Sequence, residues 1–355
     1  MSTLKVTNIE SPSGGGVNAK ITDINGGQLA NRNLIINGAM LVAQRGTSST
    51  TSGYGTVDRF RPSYTGGQIT QTQENMTTSD SPYSLGFRKF YRLQNTTATA
   101  DPPAANNHRR LLIRLEAQDI ASSGWDYTSS SSYITLSMWV RSSVAQTFTW
   151  FAHAIDGTAQ SYPWDVTLTA NTWTKITKSF PGNSNLTFDS DENLGLMFDC
   201  GMFWGTDFTD SSKNNDAWTV YSGSARTKDF DDTWATTTNA TFDVTGVQLE
   251  TGDVATTFEH RSFGDELARC QRYYQLARGG QGFTSNSSLS TAIGLKTEMR
   301  ASPTVTLNSI KYIQNTGSTT PNYANTDKHG TRFVWTPSSS AASELHIVAN
   351  FDAEL

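Results

Sequence analysis

Along residues 133–141 (YITLSMWVR) Ile134, Leu136, Met138 and Val140 fall on one face of an alternating pattern. A period of two predicts a strand with one buried side. Shorter runs of the same kind recur at 148–154, 166–169, 173–180, 194–199 and 241–249, each bounded by Gly, Asn, Asp or Ser. Many short strands without helical segments between them predict antiparallel packing, so residues 33–261 read as one jelly-roll sandwich in a mainly β protein. Residues 264–280 change character. Asp265 and Glu266 open the segment, Arg269, Arg272 and Arg278 follow, and Gly279-Gly280 close it. Phe263, Leu267, Cys270, Tyr274 and Ala277 recur at helical spacing, which predicts one connecting α-helix over 262–280 with a narrow apolar seam. Beyond it, 289–299, 304–307, 310–313, 332–335 and 345–351 read as strands of a small C-terminal β domain, residues 281–355.

Residues 1–32 stand apart. Their short extended pieces are broken by Ser11-Pro12-Ser13-Gly14-Gly15-Gly16 and Gly26-Gly27, and hold too few apolar side chains to close a core. Leu4, Val6 and Ile9 alternate, so this segment is expected to act as an attachment arm that adds an edge strand to a neighbouring sheet.

Composition narrows the function classes. Charged residues are only 17% of the chain and the apolar set 36%, so neutral polar residues fill the remainder, a mix that favours strands and turns. The 27 basic and 32 acidic residues leave a net charge of −5 with no polybasic run, which argues against a nucleic-acid partner. Apolar runs such as 33–42 fall far short of the ~20 residues of a membrane span, and residues 1–7 lack a signal-peptide pattern, so no membrane insertion is expected. Two isolated cysteines, Cys200 and Cys270, make neither a disulfide framework nor a zinc site and suit synthesis in a reducing cytosol.

Catalytic signatures are absent from the sequence. The five histidines are scattered, and no nucleophile elbow, phosphate loop or dinucleotide fingerprint is present, so no catalytic residue, metal or cofactor is assigned. Asp189, Asp191 and Glu192, and again Asp229, Asp231 and Asp232, could offer oxygens to Ca²⁺, though acidic loops are more often simply solvated. Aromatic placement is more informative. Trp204, Trp218 and Tyr221 flank a polar stretch containing Asn214 and Asp216, the combination of ring faces and directional hydrogen-bonding groups that a sugar requires. These five are the candidate carbohydrate-binding residues. Trp150, Tyr162 and Trp164 form a second aromatic group, for which the core is the competing destination.

Several stretches resemble a family of phage tail and tail-fibre proteins with a carbohydrate-binding-module-like jelly roll. They are Arg32-Asn-Leu-Ile-Ile-Asn-Gly-Ala-Met40, Gln44-Arg-Gly46, Val57-Asp-Arg-Phe60, Ile113-Arg-Leu-Glu-Ala-Gln118 and Ile134-Thr-Leu-Ser-Met-Trp-Val-Arg141. Asp243-Val-Thr-Gly-Val-Gln-Leu-Glu250 continues the likeness through Phe258-Glu-His-Arg261 into Glu266-Leu-Ala-Arg-Cys-Gln-Arg-Tyr-Tyr-Gln275. The opening Leu4-Lys-Val-Thr-Asn-Ile-Glu is similar to the start of short fibres of phages that infect cyanobacteria. The resemblance implies a structural virion protein of the tail, made in the host cytoplasm and often a homotrimer. Its arm would meet a tail adaptor, nozzle or baseplate protein, and its β domains a host-surface glycan or protein. In a trimer, Phe263, Leu267, Cys270 and Tyr274 would present their seam to sister chains. No catalytic residues attach to these motifs. The alternatives are a glycan-degrading depolymerase, which would need a carboxylate pair in an aromatic cleft, and a purely structural tail, baseplate or capsid-fibre component.

Overall fold

The computed structural model describes residues 31–283, 289–314, 322–335 and 343–355. The arm residues Leu4, Val6 and Ile9 lie outside them. The sandwich opens with β1 (Ser48–Ser49), β2 (Phe60–Tyr64), β3 (Gln68–Asn75), β4 (Lys89–Thr97) and β5 (His108–Glu116), followed by the short helix α1 (Ala117–Ala121). It continues through β6 (Tyr133–Ser142), β7 (Gln146–Ala154), β8 (Gln160–Leu168), β9 (Thr174–Pro181), β10 (Leu194–Trp204) and β11 (Thr219–Val220). Helix α2 (Thr233–Thr236) and β12 (Thr241–Thr251) complete it.

These strands form two antiparallel sheets, ordered β1-β3-β4-β12-β6-β9 and β11-β8-β7-β10-β5-β2. The chain crosses between them repeatedly, which gives the jelly-roll connectivity expected from the strand pattern. In β6 the alternation holds: Ile134, Leu136, Met138 and Val140 are all buried between the sheets. Aromatic rings fill the same space. Trp150 packs edge-on against Trp164 and Phe242, at 6.1 and 6.0 Å between centroids, so the group Trp150, Tyr162 and Trp164 belongs to the core.

The connecting helix is shorter than its sequence spacing predicts. Helix α3 spans Phe263–Gln271, capped by Ser262, whose Oγ accepts the Asp265 N–H at 3.1 Å. Tyr274 already belongs to β13 (Tyr274–Phe283), which pairs along its whole length with β18 (Ser343–Asp352), Tyr274 lying opposite Asp352. Tertiary strand pairing outweighs the local helical pattern here. Gly279 is no helix stop: a Cβ there would lie 2.7 Å from Ile293 Cγ1, so the glycine lets two sheets approach. The predicted seam therefore does not form one helical face. Phe263 is 57% exposed, Leu267 is half-buried, Cys270 is buried, and Tyr274 lies on a strand with the Arg45 guanidinium 3.6 Å above its ring.

The remaining strands are β14 (Leu289–Gly294), β15 (Thr304–Gln314), β16 (Asn322–Asp327) and β17 (Gly330–Trp335). They complete the sheets β13-β18-β15 and β14-β17-β16. The stretches 304–307 and 310–313 form one strand with register irregularities near Leu307 and Tyr312. Ile293, Met299, Phe333, Ile347 and Phe351 close a second, smaller core.

The two halves meet through arginines. Arg59 stacks on Tyr273 at 3.4 Å and pairs with Glu354, while Arg45 reaches Asp352 at 3.0 Å and Glu354 at 3.2 Å. On the sandwich side, Glu116 accepts from Arg272 at 2.6 Å and from the Tyr273 hydroxyl.

Candidate functional site

The five sequence-predicted sugar-binding residues do not assemble on an open surface. Trp204 is 2% exposed, lying flat on the outer face of the second sheet, where Gly201 makes room: a Cβ there would come within 2.5 Å of the indole Nε1. Trp218 is half-buried, donates its Nε1–H to the Pro181 carbonyl at 2.7 Å and packs against Tyr162. Tyr221 stacks on His153 at 4.0 Å. Asn214 and Asp216 stay exposed, with Asp216 ion-paired to Lys178. Residues 205–232 thus fold back and use their rings to cover the sheet, so Trp204 is no platform. The physical reason is burial: large rings next to a sheet face are stabilised by covering it.

An open aromatic surface occurs instead on the outer face of the first sheet. The strand that buries Ile134, Leu136, Met138 and Val140 turns Thr135, Ser137, Trp139 and Arg141 outward. Trp139 is half-buried there. Opposite it, β12 carries a bulge: Thr245 faces Trp139 and Gln248 faces Ser137, so Gly246 and Val247 together oppose a single β6 residue. Gly246 has φ of +62°, and a Cβ on it would lie 2.6 Å from the Phe87 ring. Only glycine fits both the left-handed backbone and the space.

The bulge forms the floor of a cleft of about 290 Å³ lined by Leu85, Phe87, Ser137, Trp139, Lys175, Gly246, Thr256, Thr257, Phe258 and His260. Phe87, Phe258 and His260 pack as a triangle with centroids 4.9 to 5.0 Å apart. The His260 ring is fixed by Nε2 against the Leu85 carbonyl at 2.9 Å, and Leu85 stays 53% exposed at the rim. The Thr256–Thr257 wall is held by buried Glu250, which accepts from the Thr256 N–H at 2.9 Å and its hydroxyl at 2.6 Å. Glu259, between two cleft residues, turns away to accept from the Asn33 N–H and Arg261, each at 3.0 Å. On the same face, Asp243 joins Arg92 and Arg141, and Asp80 joins Arg141 and the Trp173 indole, which stiffens the sheet around the cleft. A larger groove of about 480 Å³ lies on the C-terminal sheet at Arg278–Gly280 and His346–Val348, and among the described residues no aromatic ring other than His346 lines it.

Among the described residues no group of three His, Cys, Asp or Glu is placed to hold a metal ion, and no helix is long and apolar enough to cross a membrane.

No protein-family model and no curated sequence matches the chain. Among solved structures, the CBM22-1 xylan-binding domain of Paenibacillus barcinonensis Xyn10C is similar at 11% identity, covering 64% of this chain and 100% of that one, with a TM-score of 0.28. A family 11 carbohydrate-binding module from Clostridium thermocellum, in complex with a mixed-linked tetrasaccharide, matches at 10% identity over 59% of this chain and 98% of its own, TM-score 0.28. The N-terminal cellulose-binding domain of Cellulomonas fimi β-1,4-glucanase C gives 9%, 61%, 100% and 0.29.

Proposed function

We propose that the protein is a non-catalytic adhesion component of a phage tail fibre, whose jelly roll contacts a host-surface glycan through the cleft at Trp139, Phe258 and His260. The observation that carries the glycan reading is the cleft itself. Ring faces for apolar sugar C–H groups stand beside Ser137, Lys175, Thr256 and Thr257, which offer directional hydrogen bonds. None of the lining residues is a carboxylate, and hydrolysis of a glycosidic bond ordinarily needs two, so the arrangement suits holding a sugar rather than cleaving it. The virion role rests on the motif resemblance. In that role residues 1–32 anchor the fibre to the tail, and the chain works as a homotrimer.

The test is adsorption of purified protein to host cells and to immobilised glycans. Trp139→Ala should weaken binding by about tenfold or more, as loss of a central aromatic contact does. A folded Trp139→Ala protein that adsorbs as well as wild type would overturn the reading and leave a purely structural fibre component.

A further inference from the structure

The outer face of the second sheet has a different chemistry, dominated by guanidinium groups. The β2–β5 pairing sets Arg61 opposite Leu112, and the β5–β10 pairing sets Asp199 opposite the same leucine from the other side. Arg110 and Arg114 lie one step either way along β5 on that face. Residues two apart on a strand are about 7 Å apart, so Arg110 and Arg114 span roughly 14 Å of sheet. A fourth cation, Arg226, reaches in from the covering segment. Its guanidinium lies 4.6 Å from the Trp204 ring, and that of Arg110 lies 4.9 Å from it. All four arginines are half-buried and so reachable from solvent, although Arg114 already donates an Nη–H to the Leu355 oxygen.

The acidic side chain within this strip is Asp199, which is fully buried and accepts from Arg110 at 2.8 Å. Positive charge therefore exceeds negative locally, in a chain whose net charge is −5. Nearby groups register the excess. Burial first, then Arg61 and Arg110, lower the Arg114 pKa. Burial first, then Arg226 and Arg110, hold His153 down at about 4. Hydrogen-bonding capacity is left over as well: Arg110 Nε, Arg114 Nε, Asp199 Oδ1, Trp204 Nε1 and both ring nitrogens of His153 are buried with no partner among the described residues, and His153 is only 8% exposed.

We propose that this strip is a second binding site, separate from the Trp139 cleft, which takes the carboxylate or sulfate groups of an acidic glycan. A planar guanidinium fork matches both oxyanions, and unpartnered donors beside it add directional contacts. The strip is short, and Trp204, the ring on which Arg110 and Arg226 stack, is 2% exposed and closed to base stacking, which favours a glycan over a nucleic acid.

Calorimetry on the full chain at about 50 mM salt, where exposed charges are incompletely screened, tests it with defined probes. These are a hexagalacturonate, its fully methyl-esterified neutral form, a sulfated hexasaccharide and a single-stranded oligonucleotide. At least one acidic oligosaccharide should bind about tenfold or more tightly than the ester, as charge-assisted hydrogen bonds require. The double variant Arg61→Gln/Arg226→Gln touches no ion pair and should lose about tenfold in affinity for that ligand. Bound anion should also raise the pH at which His153 titrates by NMR. Trp139→Ala should leave this binding unchanged, which separates it from the cleft. Equal affinity for acid and ester, no binding of either acidic probe, wild-type affinity in the double variant, or oligonucleotide binding as tight as the glycan would each overturn the proposal.

Discussion

The two outer faces of the sandwich solve the same problem in opposite ways. Each sheet presents aromatic rings away from the core, yet on one face the ring is left open and on the other the rings are covered by the chain itself, with the arginine strip beside them reaching solvent. On the first sheet the ring belongs to a strand, Trp139, and a bulge at Gly246 holds the neighbouring strand back from it. On the second, Phe151 and Trp204 stand on strands as well, but the long segment 205–232 folds over them with Phe208, Tyr221 and Arg226. Trp204 is left 2% exposed. Whether a ring fixed on a strand stays open is decided by whether a connection long enough to cover it folds back over the sheet.

The comparison breaks most visibly on substitution of the two tryptophans. Trp204→Ala should cost about 3–5 kcal/mol, the range for deleting a buried ring, against about 1 kcal/mol for half-buried Trp139→Ala. Urea unfolding of the two variants decides it, and equal losses would mean that the second face is not covered in solution.

A slightly smaller effect should appear with pH. Burial, followed by nearby arginines, holds His108 and His153 neutral down to about 4, well below the ordinary 6.5. The folded state thus takes up protons less readily than the unfolded chain. Stability is complete above about pH 6.5 and drains away as pH falls toward 4, by up to the order of 3 kcal/mol for the nearly buried His153. Asp58, lifted by burial to about 6, works the other way and favours the folded state as pH drops through that value. Thermal melts of wild type and His153→Gln between about pH 7 and pH 4 should show a shallower acid loss in the variant. Parallel curves would show that the second face does not set the acid limit.

Gly246→Ala sharpens the first half of the comparison. Strain at a positive φ together with the approach to Phe87 should cost about 1–3 kcal/mol and reduce glycan adsorption by narrowing the cleft. Retained stability and adsorption would show that the bulge is not the floor it is described as. Least affected should be Asn214→Ala, an exposed residue on the covering segment, at within about 0.5 kcal/mol and with unchanged adsorption.

Much of this was legible in the sequence, and the gaps have physical causes. The alternation of 133–141 reads directly as β6, and the same register puts Trp139 on the outward face with Tyr133, Thr135, Ser137 and Arg141, a signal in the sequence that an aromatic ring faces away from the core. The bulge opposite it depends on how two strands pair across a hundred residues of chain and leaves no local mark. Strand β5 escapes the apolar pattern because Arg109, Arg110 and Arg114 interrupt it, and β3 because Ile69 is the one apolar residue in its sequence QITQTQEN. Helical spacing runs past the end of α3 because Cys270 and Tyr274 keep it although Tyr274 pairs in a sheet. The motif residues, by contrast, read as structural and are: Asn33 accepts from Ile35 and Leu249, and Asn37 accepts from Val42 and donates its own N–H to Glu266.

The arginine junction between the two halves has a mechanical meaning. Covalently, the C-terminal sheets hang from the sandwich by residues 262–273, and one tether alone is a swivel. Residues 352–354 add a second fastening, since Glu354 grips Arg45 and Arg59, Asp352 grips Arg45, and Ala353 donates its N–H to the Tyr273 carbonyl at 2.8 Å. A body pinned at two points cannot rotate about either without breaking the other. Torque applied to the C-terminal sheets is therefore delivered to the sandwich, and the direction in which the Trp139 cleft points is set by the orientation of the whole molecule rather than by chance at a joint.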